Sequence, residues 1–164
     1  MTAKITIQSD DSSILSALSQ LTARMSDLTP AMREISETMM AGVEDAFDTE
    51  TDPSTGQKWA PLTALTVQQR GERAHPILQR SGQLIGSHQP DFGPDFAAVG
   101  TNKLYARVHH FGARTGSLGS GTYKSRGGSF PIPWGDIPAR PALGFSDSIK
   151  ESILETLSRF LAPG

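Results

Sequence analysis

The sequence predicts an α+β fold, with N-terminal helices and a C-terminal helix packed on a small antiparallel sheet and a long Gly/Ser-rich loop. Three observations carry this. Apolar residues recur every three or four positions over residues 14–47 and again over 145–160, the period of helices with one apolar face. Gln83 to His88 and Phe96 to Gly100 read as two strands, joined by a connection through Pro90, Gly93 and Pro94. Residues 112–129 are almost entirely Gly, Ser, Thr and basic side chains, too poor in apolar surface to offset their ordering entropy.

With 164 residues the chain reads as one domain, 1–164. Residues 1–47 are its helical N-terminal part and 48–111 a mixed α+β part. Residues 112–136 are a flexible loop or arm, and 137–164 a Pro-rich arm followed by the C-terminal helix. There is no cysteine, so disulfides and Cys-based zinc sites are excluded. No apolar run approaches the ~20 residues of a membrane span, and the polar N-terminus lacks a signal-peptide core. The expectation is a soluble protein made in a cytosol. The net charge of −2 hides an asymmetry: residues 1–60 hold four basic and ten acidic side chains, and 61–164 hold eleven and seven. Such opposite poles are either two solvated faces or surfaces that meet head to tail between copies. Aromatic residues do not interleave with the basic ones, which argues against a dedicated nucleic-acid surface.

Lys4 to Gln8 alternate as a short strand. Ser9, Asp10, Asp11 and Ser12 supply a helix start, followed by the stripe Ile14, Leu18, Leu21, Met25 and Leu28. Thr29-Pro30 reads as an N-cap with proline at the first helical position, opening a helix with Met32, Ile35, Met39, Val43 and Phe47 on one face. These stripes belong to the core or to a subunit interface. A polar turn covers 48–60. Thr63 caps a short helix through Leu65, Val67 and Arg70, His75-Pro76 breaks it, and residues 77–80 form one more helical turn stopped by Ser81-Gly82. Leu104 to Phe111 is compatible with strand or helix. The spacing of Tyr105, Val108 and Phe111 favours a short helix, ended by Gly112. Phe145, Ile149, Ile153, Leu157 and Phe160 mark the last helix, with capping-box spacing between Ser148 and Glu151.

Catalytic patterns are missing. Gly116 to Gly121 has P-loop spacing, but Thr122 stands where lysine is required. His109-His110 are adjacent and point apart on a helix or a strand, unlike the i, i+4 pair of a zinc protease. No nucleophile elbow is present, and the carboxylates Asp45 and Asp48 sit in an acidic stretch that would not raise a pKa. The expectation is no enzyme, no metal, no cofactor and no small-molecule substrate.

The feature that stands out is Ile137-Pro138-Ala139-Arg140-Pro141-Ala142-Leu143-Gly144. Two prolines fix φ and push their predecessors to extended backbone, so the segment is a stiff arm holding Arg140 in one place. Trp59-Ala60-Pro61-Leu62 and Phe130-Pro131-Ile132-Pro133-Trp134 add apolar side chains in loops, which either fold over the core or anchor subunit contacts. The interface candidates are Trp59, Pro61, Leu62, Tyr105, His109, Phe111, Arg114, Lys124, Arg126, Trp134, Pro138, Arg140 and Pro141.

Taken in order, these residues resemble a known family. The matching segments are Gly56-x-x-Trp59-x-Pro61-Leu62 with Thr66, Ile77-Leu78-x-x-Ser81-Gly82-x-Leu84, and Val99-Gly100-Thr101. Tyr105-Ala106-x-x-His109-x-Phe111-Gly112 follows, then the Gly-rich insertion, then Ile137-Pro138-Ala139-Arg140-Pro141-x-Leu143-Gly144. Over roughly residues 40–160 the chain resembles the phage virion morphogenesis family, the tail-completion or head–tail joining proteins of Mu-like and related tailed phages. His110 departs from the polar, often Gln-like residue expected there. The resemblance implies a small α+β protein without catalysis, acting as a homo-oligomeric, hexameric ring at the virion neck after assembly in the host cytoplasm. Its implied partners are itself and neighbouring neck proteins, the head–tail connector or adaptor and the tail terminator. Non-specific contact with DNA in the channel is a further implied role for the basic loop. The alternative is a morphogenesis factor that acts in head or tail assembly and leaves. On this reading Arg140 holds a fixed contact across a subunit boundary, and residues 113–129 order on a partner.

Overall fold

The computed structural model describes residues 11–117, 122–125, 128–131 and 136–162, with the backbone alone for 73, 122–125 and 128–131. The expected strand at residues 4–8 lies outside them. The architecture is α+β, as predicted, and is organised around one helix.

That helix is α2, Thr29–Thr49, the second in the chain after α1, Ser12–Ser26. The break between them is at Asp27, whose backbone is extended (φ −145°, ψ 98°). Pro30 sits in the first turn of α2, where its missing N–H leaves no bond unmade. The cap differs from the expected Thr29. Thr29 is already helical, and its N–H donates to the Asp27 carboxylate at 2.9 Å. Those bonds from Thr29 hold the Asp27 carboxyl below the usual carboxylate range. At the other end Glu50 takes the left-handed conformation (φ 50°) and its N–H closes the helix on the Ala46 carbonyl.

α2 buries Ala31, Ile35, Ser36, Val43, Ala46 and Phe47. The buried Ser36 hydroxyl is satisfied by the Arg33 carbonyl at 2.8 Å. Phe47 is 0% exposed and centres the core, with Val43, Ala46, Trp59, Ile77, Leu84 and Ala142 around it. Its ring meets Trp59 edge-on, with centroids 5.5 Å apart, and His88 at 5.7 Å.

The sheet packs on one flank of α2. Strand β1, His88–Phe92, pairs antiparallel with β2, Ala97–Thr101, in the register His88 with Thr101 through Phe92 with Ala97. The first strand therefore starts where the sequence reading ended it. Residues 85–87 instead form a turn of 3-10 helix, and Pro90 lies in β1 opposite Val99 rather than in the connection. Proline is tolerated because both strands of a two-stranded sheet are edges. The turn is tighter than expected, closed by the Gly93 N–H on the Phe96 carbonyl at 2.9 Å.

α3, Ala64–Arg70, starts on the Thr63 hydroxyl as predicted. Residues 77–80 do not form the expected helical turn. Leu78 is left-handed (φ 63°), which ends helical propagation, and the Gln79 side-chain amide donates to the Phe47 carbonyl at 2.9 Å. α4, Ala106–Phe111, ends at Gly112 (φ 72°). A side chain at Gly112 would also strike the backbone, 2.7 Å from the Ile137 carbonyl and 2.9 Å from the Ala139 nitrogen.

The insertion after α4 is not loop throughout. β3, Thr122–Ser125, and β4, Gly128–Pro131, pair antiparallel. Its base is clamped by a bridge between Ala113 and Ile137 and by Asp136, which accepts from the Thr115 N–H and hydroxyl at 2.8 and 3.0 Å.

α5, Asp147–Leu161, lies against α2. Its cap is Ser146 rather than Ser148, accepting from the Ile149 N–H at 3.2 Å, so Phe145 stands before the helix and is exposed. The close approach explains Gly42 in the middle of α2, where a Cβ would collide with Ile149 Cδ1. Glu34 of α2 accepts from Thr156 (3.1 Å) and Arg159 of α5. Arg159 first, and then Thr156, hold the Glu34 carboxyl below its ordinary range. No helix among the described residues is long and apolar enough to cross a membrane.

Candidate functional site

The Pro-Arg-Pro arm and the residues after β2 build one surface. Arg140 is 6% exposed. A buried guanidinium is costly unless its donors are satisfied, and here backbone carbonyls accept them. Nε donates to Ala60 at 2.8 Å and Nη2 to Pro61 at 3.1 Å. The Arg140 N–H donates to the His109 carbonyl at 2.7 Å, one of the carbonyls left over at the end of α4. Trp59 completes the clasp, its indole N–H donating to the Pro141 carbonyl at 2.7 Å. The prolines fit because neither needs an N–H, and their stiffness presents Arg140 to the 59–61 loop. Burial, followed by the nearby Arg70, pulls the Arg140 pKa below its ordinary value, while Glu50 opposes this. The contacts expected across a subunit boundary are thus made within the subunit: Arg140 ties the 59–61 loop, α4 and the arm to the core.

Beside the clasp lies an open groove of about 580 Å³. Phe47, Leu78, Leu84, Ala142 and Leu143 line its apolar side, and Lys103, Leu104, Arg107 and Phe111 are among the residues between β2 and the end of α4 that line the other. Leu104 is 94% exposed and Phe111 72%. Lys103, Arg107 and Arg140 also line it, and no carboxylate does. The described residues hold four ion pairs, none of which takes Lys103 or Arg107. His109 and His110 sit on the wall. Burial chiefly, then Arg140 and Arg70, lowers the His109 pKa. Burial likewise lowers that of His110, against the pull of Asp52. His109 Nδ1 is buried with no hydrogen-bond partner among the described residues. The groove suits an apolar side-chain ridge with acidic flanks. Among the described residues, no group of three or more His, Asp or Glu could hold a metal ion.

The sequence-predicted interface residues divide. Trp59 is core. Leu62 packs against the core and Pro61 is exposed. His109 and Phe111 line the groove, and Tyr105 meets His109 edge-on at 6.0 Å without lining it. Pro138 is exposed and Pro141 half-buried beside the clasp, and Arg114 is exposed at the base of the insertion. Lys124 lies in β3, described by its backbone alone, while Arg126 and Trp134 fall outside the described residues. Lys103, Leu104 and Arg107 were missed. Lys103 and Arg107 did carry a signal, as members of the densest basic stretch of the sequence, but Leu104 carried none.

Residues 9–162 match the phage virion morphogenesis family, and the chain belongs to it. Over 130 residues it is 27% identical to "Putative capsid assembly protein G" of Escherichia phage Mu, covering 77% of this chain and 75% of that protein. Over 147 residues it is 28% identical to "Mu-like prophage FluMu G protein 2" of Haemophilus influenzae, covering 90% and 88%. No solved structure matches the chain. The protein is therefore a phage virion morphogenesis protein.

Proposed function

We propose that this family member is a structural protein of the virion neck, acting in tail completion and head-to-tail joining as a closed hexameric ring around the DNA channel. In this reading it is no enzyme. Its partners are copies of itself, the head–tail connector or adaptor, and the tail terminator. It resides in the host cytoplasm until the particle is complete. The observation that carries the reading is the apolar surface the subunit leaves in water. Ile14, Leu15, Leu18, Met25, Leu104, Phe111 and Leu154 are all more than half exposed. Monomeric proteins rarely leave large contiguous apolar patches uncovered, and assembly subunits do so until they meet their neighbours. The opposite charge of the two parts of the chain supports head-to-tail contacts, which close into rings.

The test is deletion of the gene from an infecting phage. The reading expects filled heads and separate tails in the electron microscope, and the chain present in purified wild-type virions. Joined, infectious particles made without the chain would end it. A second reading is favoured by the name of the Mu relative, a putative capsid assembly protein: a factor that acts in capsid assembly and is not retained. It expects the chain to be absent from purified virions and the deletion to remove heads rather than joining.

A further inference from the structure

We infer that the outer edge of β2 pairs with the same edge of a second copy, joining two β1–β2 hairpins into one four-stranded sheet. The two edges of the small sheet differ. The Gly93 N–H bonds to the Phe96 carbonyl, and antiparallel ladders alternate bonded with unbonded pairs. Counting along the register, Gln89 with Gly100 and Asp91 with Ala98 are the bonded pairs. His88, Pro90 and Phe92 of β1, and Ala97, Val99 and Thr101 of β2, therefore turn their backbone groups outward. On β1 the outward donors are gone. Pro90 has none, the His88 N–H closes on the Ile85 carbonyl, and the Phe92 N–H donates to the Asp91 carboxylate at 3.0 Å. On β2 the outward backbone groups of Ala97, Val99 and Thr101 have no partner among the described residues. Nor does β2 carry the proline, the charged side chain or the bulge that closes an edge strand to pairing.

This edge complements itself about a two-fold axis through Val99. In an antiparallel pair centred there, Val99 meets Val99 of the partner subunit, and Ala97 meets Thr101 of the partner subunit. Each outward N–H and C=O of the three residues then finds its counterpart on the other copy. Charge selects the same register. Two residues further along, Asp95 stands opposite Lys103 of the partner subunit, and the two-fold repeats the pair; opposite charges placed so are favourable. Neither Asp95 nor Lys103 belongs to an ion pair among the described residues, and Asp95 is exposed. On the outer face Ala98 meets Gly100 of the partner subunit. Both are exposed, and a Cβ built at Gly100 meets nothing, so no bulky side chain of the strand keeps the edges apart. A two-fold contact closes on two copies. The inference therefore goes beyond the ring reading and does not rest on it.

The experiment uses the full chain, which contains no cysteine. Ala98→Cys and Gly100→Cys chains are prepared separately and mixed in equal amounts under mild oxidation. In the proposed register these positions face each other as an unbonded pair, with Cα atoms about 4.5 Å apart, close enough for a disulfide. The mixture should give a band at twice the 17.6 kDa subunit mass on a non-reducing gel, several-fold faster than either chain alone. Both replaced residues are exposed, so both chains should keep the wild-type circular dichroism spectrum. Phe96→Cys with Asn102→Cys, the next unbonded pair of the register, serves if either does not. Lys103→Glu in both chains should slow the linkage several-fold, and Asp95→Lys added to it should restore the rate. A mixture that links no faster than the single chains would overturn the inference, whether the edge is idle or takes a strand of a different protein. The ring reading, tested by the gene deletion, would be untouched. Linkage unchanged by Lys103→Glu would overturn the pairing of Asp95 with Lys103.

Discussion

α1 and α2 are equally amphipathic, yet one is the spine of the core and the other buries nothing. Both carry large apolar residues at three- and four-residue steps. α2 is covered by its own chain: the sheet on one flank, α5 on another, and Trp59 and the arm over its C-terminal end. α1 leans on the end of α5 and presents Leu18 and Met25 to solvent. Periodicity shows that a helix has a face to cover. It does not say whether the cover belongs to the same chain, because that depends on contacts distant in sequence or in another molecule.

Substitutions in the two regions should behave oppositely, and this is the way to break the comparison. Phe47→Ala removes a fully buried ring that meets both Trp59 and His88. It should cost about 3–5 kcal/mol of unfolding free energy, read as a large drop in the denaturant midpoint. Arg140→Ala removes two charge-assisted bonds and leaves the Ala60 and Pro61 carbonyls to find other donors. A loss of roughly 1.5–3 kcal/mol is expected, with the 59–61 loop becoming open to proteolysis. A full-stability Arg140→Ala chain that failed only in assembly would return Arg140 to a subunit boundary.

His109 gives a smaller, pH-dependent effect. Its pKa in the folded chain lies below the ordinary 6.5, chiefly through burial. The unfolded chain therefore binds the proton more readily, and stability falls as pH drops below 6.5 through the folded value. His109→Gln should flatten the change in thermal midpoint between pH 5 and pH 7, and an unchanged slope would refute the assignment. The smallest expected effect is at α1. Leu18→Asp should change the unfolding free energy of the dilute subunit by no more than about 0.5 kcal/mol, while altering its assembly. A loss as large as that at Phe47 would mean that α1 belongs to the core.

Much of the fold was legible because local chemistry decides it. The α2 stripe, the Thr63 cap, the Gly112 stop and the C-terminal helix follow from side chains within a few residues of each other. The reading failed where distant contacts win. Leu78 adopts a left-handed turn where a helix was expected, with the neighbouring Gln79 side chain bonded to the Phe47 carbonyl; the start of α2, capped at Leu28 one residue earlier than expected, is a local miss instead. The glycine tract contains a hairpin that its composition concealed, since pairing between backbones needs no apolar side chains. At the site, the Pro-Arg-Pro arm was legible as a rigid holder of Arg140. The carbonyls it holds lie 79 and 80 residues away along the chain, and nothing in the local sequence names them. The groove was partly legible, through His109 and Phe111. Leu104 gains meaning only once the fold makes it part of a groove that Leu78 and Leu143 also line.

Hydrogen exchange of the wild-type chain, compared between a concentrated assembling sample and one diluted to monomer, tests the central claim most directly. Slow exchange over Ser12–Ser26 in the assembled sample and fast exchange there in the monomer, with α2 equally protected in both, is the predicted result. Equal exchange over α1 in the two samples would contradict the claim that assembly covers the apolar surface this helix leaves in water.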